Sequence, residues 1–67
     1  MEFHERLKLM RTKNGLTQKE LAQLCKTTPR VIQNYELNER KPGFYAIIAL
    51  CRALHVSSDY LLGLSGE

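Results

Sequence analysis

The ten residues from Thr27 to Glu36 read TTPRVIQNYE, and the spacing within them decides how the rest of the chain is read. At about 100° per residue, a helix beginning at Pro29 sets Arg30, Gln33 and Asn34 within roughly one quadrant and gathers Val31, Ile32 and Tyr35 opposite. Thr28 stands where an N-cap belongs, and proline is tolerated at the first helical position because an amide there has no partner in the helix. One face is therefore apolar and suited to a core. The other is a row of planar side chains whose paired donors and acceptors match guanine and adenine edges in the major groove of duplex DNA.

Working back toward the N-terminus, Thr17 followed three residues later by Glu20 forms a capping box, so a second helix starts there. Leu21, Ala22 and Cys25 give its buried stripe, and the small Ala22 allows another helix to approach closely. Only Lys26 and Thr27 separate Cys25 from the cap at Thr28, so the two helices cross steeply. Further back, Phe3, Leu7 and Met10 recur at i, i+4 and i+7 and mark a first helix over about 2–13. It stops at Asn14-Gly15, a pair suited to a left-handed helix end.

On the C-terminal side, the third helix runs over about 29–36 and ends at Leu37-Asn38. A polar, basic loop spans Asn38 to Lys41, and Pro42 restarts the chain. Phe44, Ile47, Ile48, Cys51 and Leu54 set out a fourth apolar stripe. His55-Val56 interrupts it, and Ser57 or Ser58 caps a short last helix with Tyr60, Leu61 and Leu62. No segment alternates with period two for long enough to be a strand. The fold class is all-α, a compact five-helix domain filling residues 1–67, with the tail 64–67 frayed.

Composition limits the function. A 67-residue chain buries only about 60% of its unfolded surface, which leaves little room for a deep catalytic cavity. Residues 1–41 hold nine Lys/Arg against five Asp/Glu, and residues 42–67 hold one against two, so the basic excess lies wholly on the first part. That distribution suits a surface facing phosphate. Cys25 and Cys51 have no CxxC spacing and read as small buried hydrophobes, and His4 and His55 form no HxxxH pair, so no metal and no cofactor is expected. There are no paired carboxylates, no nucleophile with a base and no phosphate loop, so the chain is not read as an enzyme. The opening MEFHERLKLM is charged throughout and no run is long enough to span a membrane, which predicts a cytoplasmic protein.

The run LTQKELAQLCKTTPRVIQNYE, followed by ERKP and then ALHVSSDYLLG, closely resembles the helix-turn-helix domain of the Cro and lambda-repressor-like (Cro/CI-type) family, also called the xenobiotic-response-element family. Leu16-Thr17-Gln18, Leu21-Ala22, Ile32, Tyr35-Glu36, Lys41-Pro42 and Leu61-Leu62-Gly63 fall at the family's spacings, and the likeness covers about residues 3 to 63. The helix-turn-helix would occupy about residues 17–37, formed by helices two and three. Where the family usually has glycine, this chain has Lys26, and glycine is also common where Asn38 and His55 stand.

The resemblance implies sequence-specific binding of double-stranded DNA by a transcriptional regulator, most simply a phage or bacterial repressor. The third helix would lie in the major groove, with Pro29, Arg30, Gln33 and Asn34 reading bases. Gln18, Thr27, Thr28, Asn38, Arg40 and Lys41 would contact phosphates, Gln18 through its side chain and the amides that open helix two. Arg11 and Glu36 would form a structural salt bridge, and a homodimer would occupy two half-sites, with Tyr60 and Leu64 at its interface. Two alternatives share the domain: an antitoxin or restriction-controller type of regulator, and a protein-interaction module that has lost DNA readout.

Overall fold

The computed structural model describes residues 1–64, so the expectation of a frayed tail falls, beyond Leu64, outside the described residues. Five helices follow in order: α1 (Phe3–Lys13), α2 (Gln18–Leu24), α3 (Pro29–Glu36), α4 (Phe44–Leu54) and α5 (Ser58–Leu61). Their starts have local causes. The Thr17 hydroxyl accepts from the Glu20 amide while the Glu20 carboxylate accepts from the Thr17 amide, so two of the orphan donors at the head of α2 are satisfied together. Thr28 caps α3 and Ser57 caps α5 in the same sense.

The ends share one device. After each helix a residue with positive φ turns the chain, and the next amide reaches back to a helix carbonyl: Leu16 to Arg11, Thr27 to Ala22, Glu39 to Asn34, Val56 to Cys51 and Leu64 to Asp59, over 2.7–3.1 Å. The turning residues are Gly15, Lys26, Asn38, His55 and Gly63, with φ of 70°, 57°, 62°, 58° and 77°. These compact stops keep the linkers short, and α2 is thereby brought against α3 across four residues.

Every helix contributes to the core, through Leu7, Leu21, Ala22, Ile32, Tyr35, Leu50, Leu54 and Leu61. α2 packs on α3 and α4, α1 on α3 and α5, and α4 on α5. The Cα radius of gyration is 10.5 Å, close to the roughly 11 Å of a well-packed chain this long.

The stripe expected on α4 holds at Cys51 and Leu54 and is corrected at Phe44. Phe44 is 72% exposed, and the buried positions are Leu50 and Leu54, with Ala46 and Ala53 packed against them. The sequence FYAIIALCRAL is apolar nearly all round, so its periodicity does not single out one face.

Arg6, which no local pattern in the sequence marks, joins two helices. Its guanidinium lies 4.9 Å from the centre of the Tyr60 ring, its Nη2 donates to the Met1 carbonyl at 3.4 Å, and an added Cβ at Gly63 would meet it at 3.6 Å. Arg6 thus fastens α5 to α1.

Candidate nucleic-acid interface

The candidate site centres on α3, whose two faces differ in burial. Ile32 is fully buried and Tyr35 is 6% exposed, while Pro29, Arg30 and Gln33 stand in solvent and Asn34 is half-buried at the edge of the outer face. Thr28 is exposed. Its hydroxyl accepts from the Val31 amide at 3.4 Å and keeps its own proton for another acceptor.

A buried carboxylate fixes the far end of α3. Glu36 accepts from Arg11 Nε at 2.6 Å and from Arg11 Nη2 at 3.1 Å, a bidentate pair with side chains 4% and 12% exposed. Arg11 Nη1 also donates to the Leu16 carbonyl at 2.8 Å, so the same guanidinium braces the turn that leads into α2. Gln18 Nε2 supplies Glu36 Oε1 with a further donor at 3.0 Å. One carboxylate therefore gathers α1, the head of α2 and the end of α3.

That last bond gives Gln18 a partner inside the fold. Its side chain is half-buried and turned toward Glu36 rather than standing free in solvent. One amide hydrogen is engaged by the carboxylate, and the second remains for an outside acceptor. The bond was not legible from spacing, because the two residues lie 18 positions apart.

The remaining polar positions ring α3. Thr27 is half-buried in the α2–α3 turn, while Asn38, Arg40 and Lys41 are exposed in the loop beyond α3. Lys41 Nζ approaches Asn38 Oδ1 at 3.5 Å. Tyr60 is half-buried beneath Arg6, and Leu64 is 74% exposed beside the exposed Leu62. Burial pushes the thiols of Cys25 and Cys51 above the ordinary cysteine range. No helix among the described residues is long and apolar enough to cross a membrane, and no group of three or more His, Cys, Asp or Glu side chains among them could hold a metal.

Residues 7–61 match the helix-turn-helix family. The HTH-type transcriptional regulator ImmR of Bacillus subtilis (strain 168) is 40% identical over 63 residues, 94% of this chain and 50% of ImmR. The uncharacterized HTH-type transcriptional regulator YqaE of the same organism is 39% identical over 66 residues, 97% of this chain and 57% of YqaE. The chain thus spans about half the length of these curated relatives. Among solved structures, the P22 c2 repressor in complex with a synthetic operator superimposes with a TM-score of 0.89 at 31% identity, covering 92% of this chain and 94% of that one. The restriction-modification controller protein C.AhdI of Aeromonas hydrophila superimposes at 0.84 and 30% identity, covering 88% of this chain and 86% of that one.

Proposed function

The chain belongs to the helix-turn-helix family, and from that premise we propose that it is a sequence-specific DNA-binding transcriptional regulator, a repressor that occupies an operator and excludes polymerase. The observation that carries this is α3 itself: Arg30 and Gln33 face solvent while Ile32, Tyr35 and Glu36 lock the opposite side to the body. A helix so held presents a fixed set of donors to a groove.

In this reading Arg30 bonds guanine O6 and N7, and Gln33 or Asn34 pairs with adenine, with Pro29 at the leading end. Gln18, Thr27, Thr28, Asn38, Arg40 and Lys41 hold phosphates. The protein works in the cytoplasm as a homodimer on half-sites roughly 34 Å apart, joined near Tyr60 and Leu64. In this reading residues 7–61, which match the family, lie in a single DNA-binding domain. Likeness to C.AhdI supports a second reading, in which the regulated gene belongs to a restriction system.

The test is selection of binding sites from random duplex DNA with wild type and Arg30→Ala side by side. A two-fold-symmetric site for wild type, with preference lost at one guanine per half-site in the variant, is the expected result. Failure to enrich any sequence at low salt would leave a protein-interaction module as the better account.

A further inference from the structure

The end of α2 and the second half of α4 leave a trough between them on the surface of the domain. Its volume is about 400 Å³, and Leu24, Cys25, Lys26, Ala49, Arg52 and Ala53 line it. Ala49 also borders a smaller cleft of about 190 Å³, shared with Thr27 and Tyr45. Arg52 lies seven residues beyond Tyr45 on α4, about two turns or 10 Å along the helix. The trough therefore opens away from the cleft beside the head of α3.

Its lining combines apolar surface with unopposed positive charge. Leu24 is 57% exposed at the edge of a floor that includes Ala49 and Ala53. A cation stands on each wall, Lys26 at the end of α2 and Arg52 on α4. No carboxylate lines the trough. α4 contains no Asp or Glu, and the Glu20 carboxylate of α2 accepts from the Thr17 amide. The salt bridge found among the described residues joins Arg11 to Glu36. Lys26 also takes φ 57°, where glycine is less strained, so its side chain is kept at this place against the preference of the backbone.

The volume falls within the roughly 300–1,000 Å³ of small-molecule sites, but such sites bury most of their ligand, and a trough walled by two helices closes over nothing. An amphipathic helix laid in a groove needs only the two walls. The cations choose its sign, since carboxylates beside its apolar ridge are what match Lys26 and Arg52. A phosphate backbone would satisfy the cations and leave the apolar floor without a partner.

We propose that this trough docks an acidic amphipathic helix of a partner protein, its apolar ridge against Leu24, Ala49 and Ala53 and its carboxylates paired with Lys26 and Arg52. None of the residues proposed to read bases lines it, so the outer face of α3 stays free while the partner is bound.

The test is a selection from a displayed library of short helical peptides, with wild type as bait and the double variant Lys26→Glu with Arg52→Glu as counter-bait. Enrichment of Asp and Glu on both sides of an apolar i, i+4, i+7 ridge is the expected result. Against a synthetic copy of the enriched peptide, Lys26→Glu and Arg52→Glu should each weaken binding about three- to tenfold, because reversal both removes an exposed pair and adds a repulsion. Leu24→Ser should weaken it about tenfold, and binding to wild type should fall as salt rises. A second copy carrying Lys in place of each Glu should bind Arg52→Glu more tightly than wild type, a result that loss of folding does not produce. Leu24, Lys26 and Arg52 are exposed, so thermal unfolding of the variants should stay close to wild type.

Selected peptides without acidic enrichment, acidic peptides that bind every variant as they bind wild type, or a Lys-bearing copy that fails to reverse the order would each overturn the proposal. So would self-association of the chain that Leu24→Ser abolishes, which would assign the trough to a second copy. Neither bait nor readout involves DNA, so this outcome and that of the binding-site selection are independent.

Discussion

Gln18 Nε2 lies 3.0 Å from Glu36 Oε1, so the first residue of α2 and the last residue of α3 are joined through a carboxylate that Arg11 already neutralises. Removing either donor has a different cost. Arg11→Ala leaves a buried carboxylate with one amide and is expected to lose about 3 kcal/mol of stability. Gln18→Ala leaves the ion pair intact and should lose about 1 to 2 kcal/mol. Urea unfolding of both single variants and the double variant measures this, and equal stability of Arg11→Ala and wild type would remove Glu36 as the hub.

Lys26 ends α2 with φ 57°, where a side chain with a Cβ costs roughly 1 kcal/mol. Lys26→Gly should therefore raise stability by about 0.5 to 1 kcal/mol, the relief being reduced by the greater freedom of glycine in the unfolded chain. For a domain this small that corresponds to a few degrees in Tm. Gly15→Ala is the converse control: φ is +70° and no atom lies within 4 Å of an added Cβ, so any loss comes from the backbone alone. Calorimetry showing no gain for Lys26→Gly would mean that the lysine side chain makes a compensating contact.

Base and phosphate contacts should separate in binding. Arg30→Ala is expected to lose about 1–3 kcal/mol on the selected site and to relax preference at one base position. Lys41→Ala should weaken all duplexes alike and lower the salt slope by about one. Titrations at several salt concentrations, on preferred and scrambled duplexes, distinguish the two patterns.

Burial raises the pKa of the Cys25 and Cys51 thiols, so the folded chain favours the neutral form more than the unfolded chain does. The stability linked to those protons is complete below the unfolded thiol range and is lost as pH rises through the higher folded values. Alkylation by iodoacetamide should accordingly be slower in the native protein than in urea, with the native rate rising at higher pH. Equal rates and equal pH profiles in both states would show that the thiols are not held by the fold.

The features that were legible in the sequence are local ones. Thr17 with Glu20 and Thr28 with Pro29 each mark a helix start within three or four residues, as does the pair Ser57-Ser58, of which Ser57 is the cap in the structure. The inner face of α3 was readable because polar Arg30, Gln33 and Asn34 interrupt its apolar side. α4 offered no such contrast, so Phe44 was drawn into the stripe while Leu50 was left out. The bond from Gln18 to Glu36 and the stacking of Arg6 on Tyr60 depend on how whole helices pack, and nothing within a few residues of either partner signals them. At the candidate site, the outward placing of Arg30 was legible for the same reason as the core, whereas the closeness of Tyr45 to Thr27 required the fold.

The division of α3 into an inner and an outer face bears on how such a domain changes over generations. Ile32 and Tyr35 are packed on all sides, and a substitution there disturbs every helix that shares the core. Arg30 and Gln33 stand in water, where replacement usually shifts folding by no more than about 0.5 kcal/mol. A lineage carrying this fold can thus exchange its outward residues one at a time, with no compensating change inside. On the proposed reading of Arg30 and Gln33, new preferences for DNA sequence lie a single substitution away, on a scaffold that hardly weakens as they are tried.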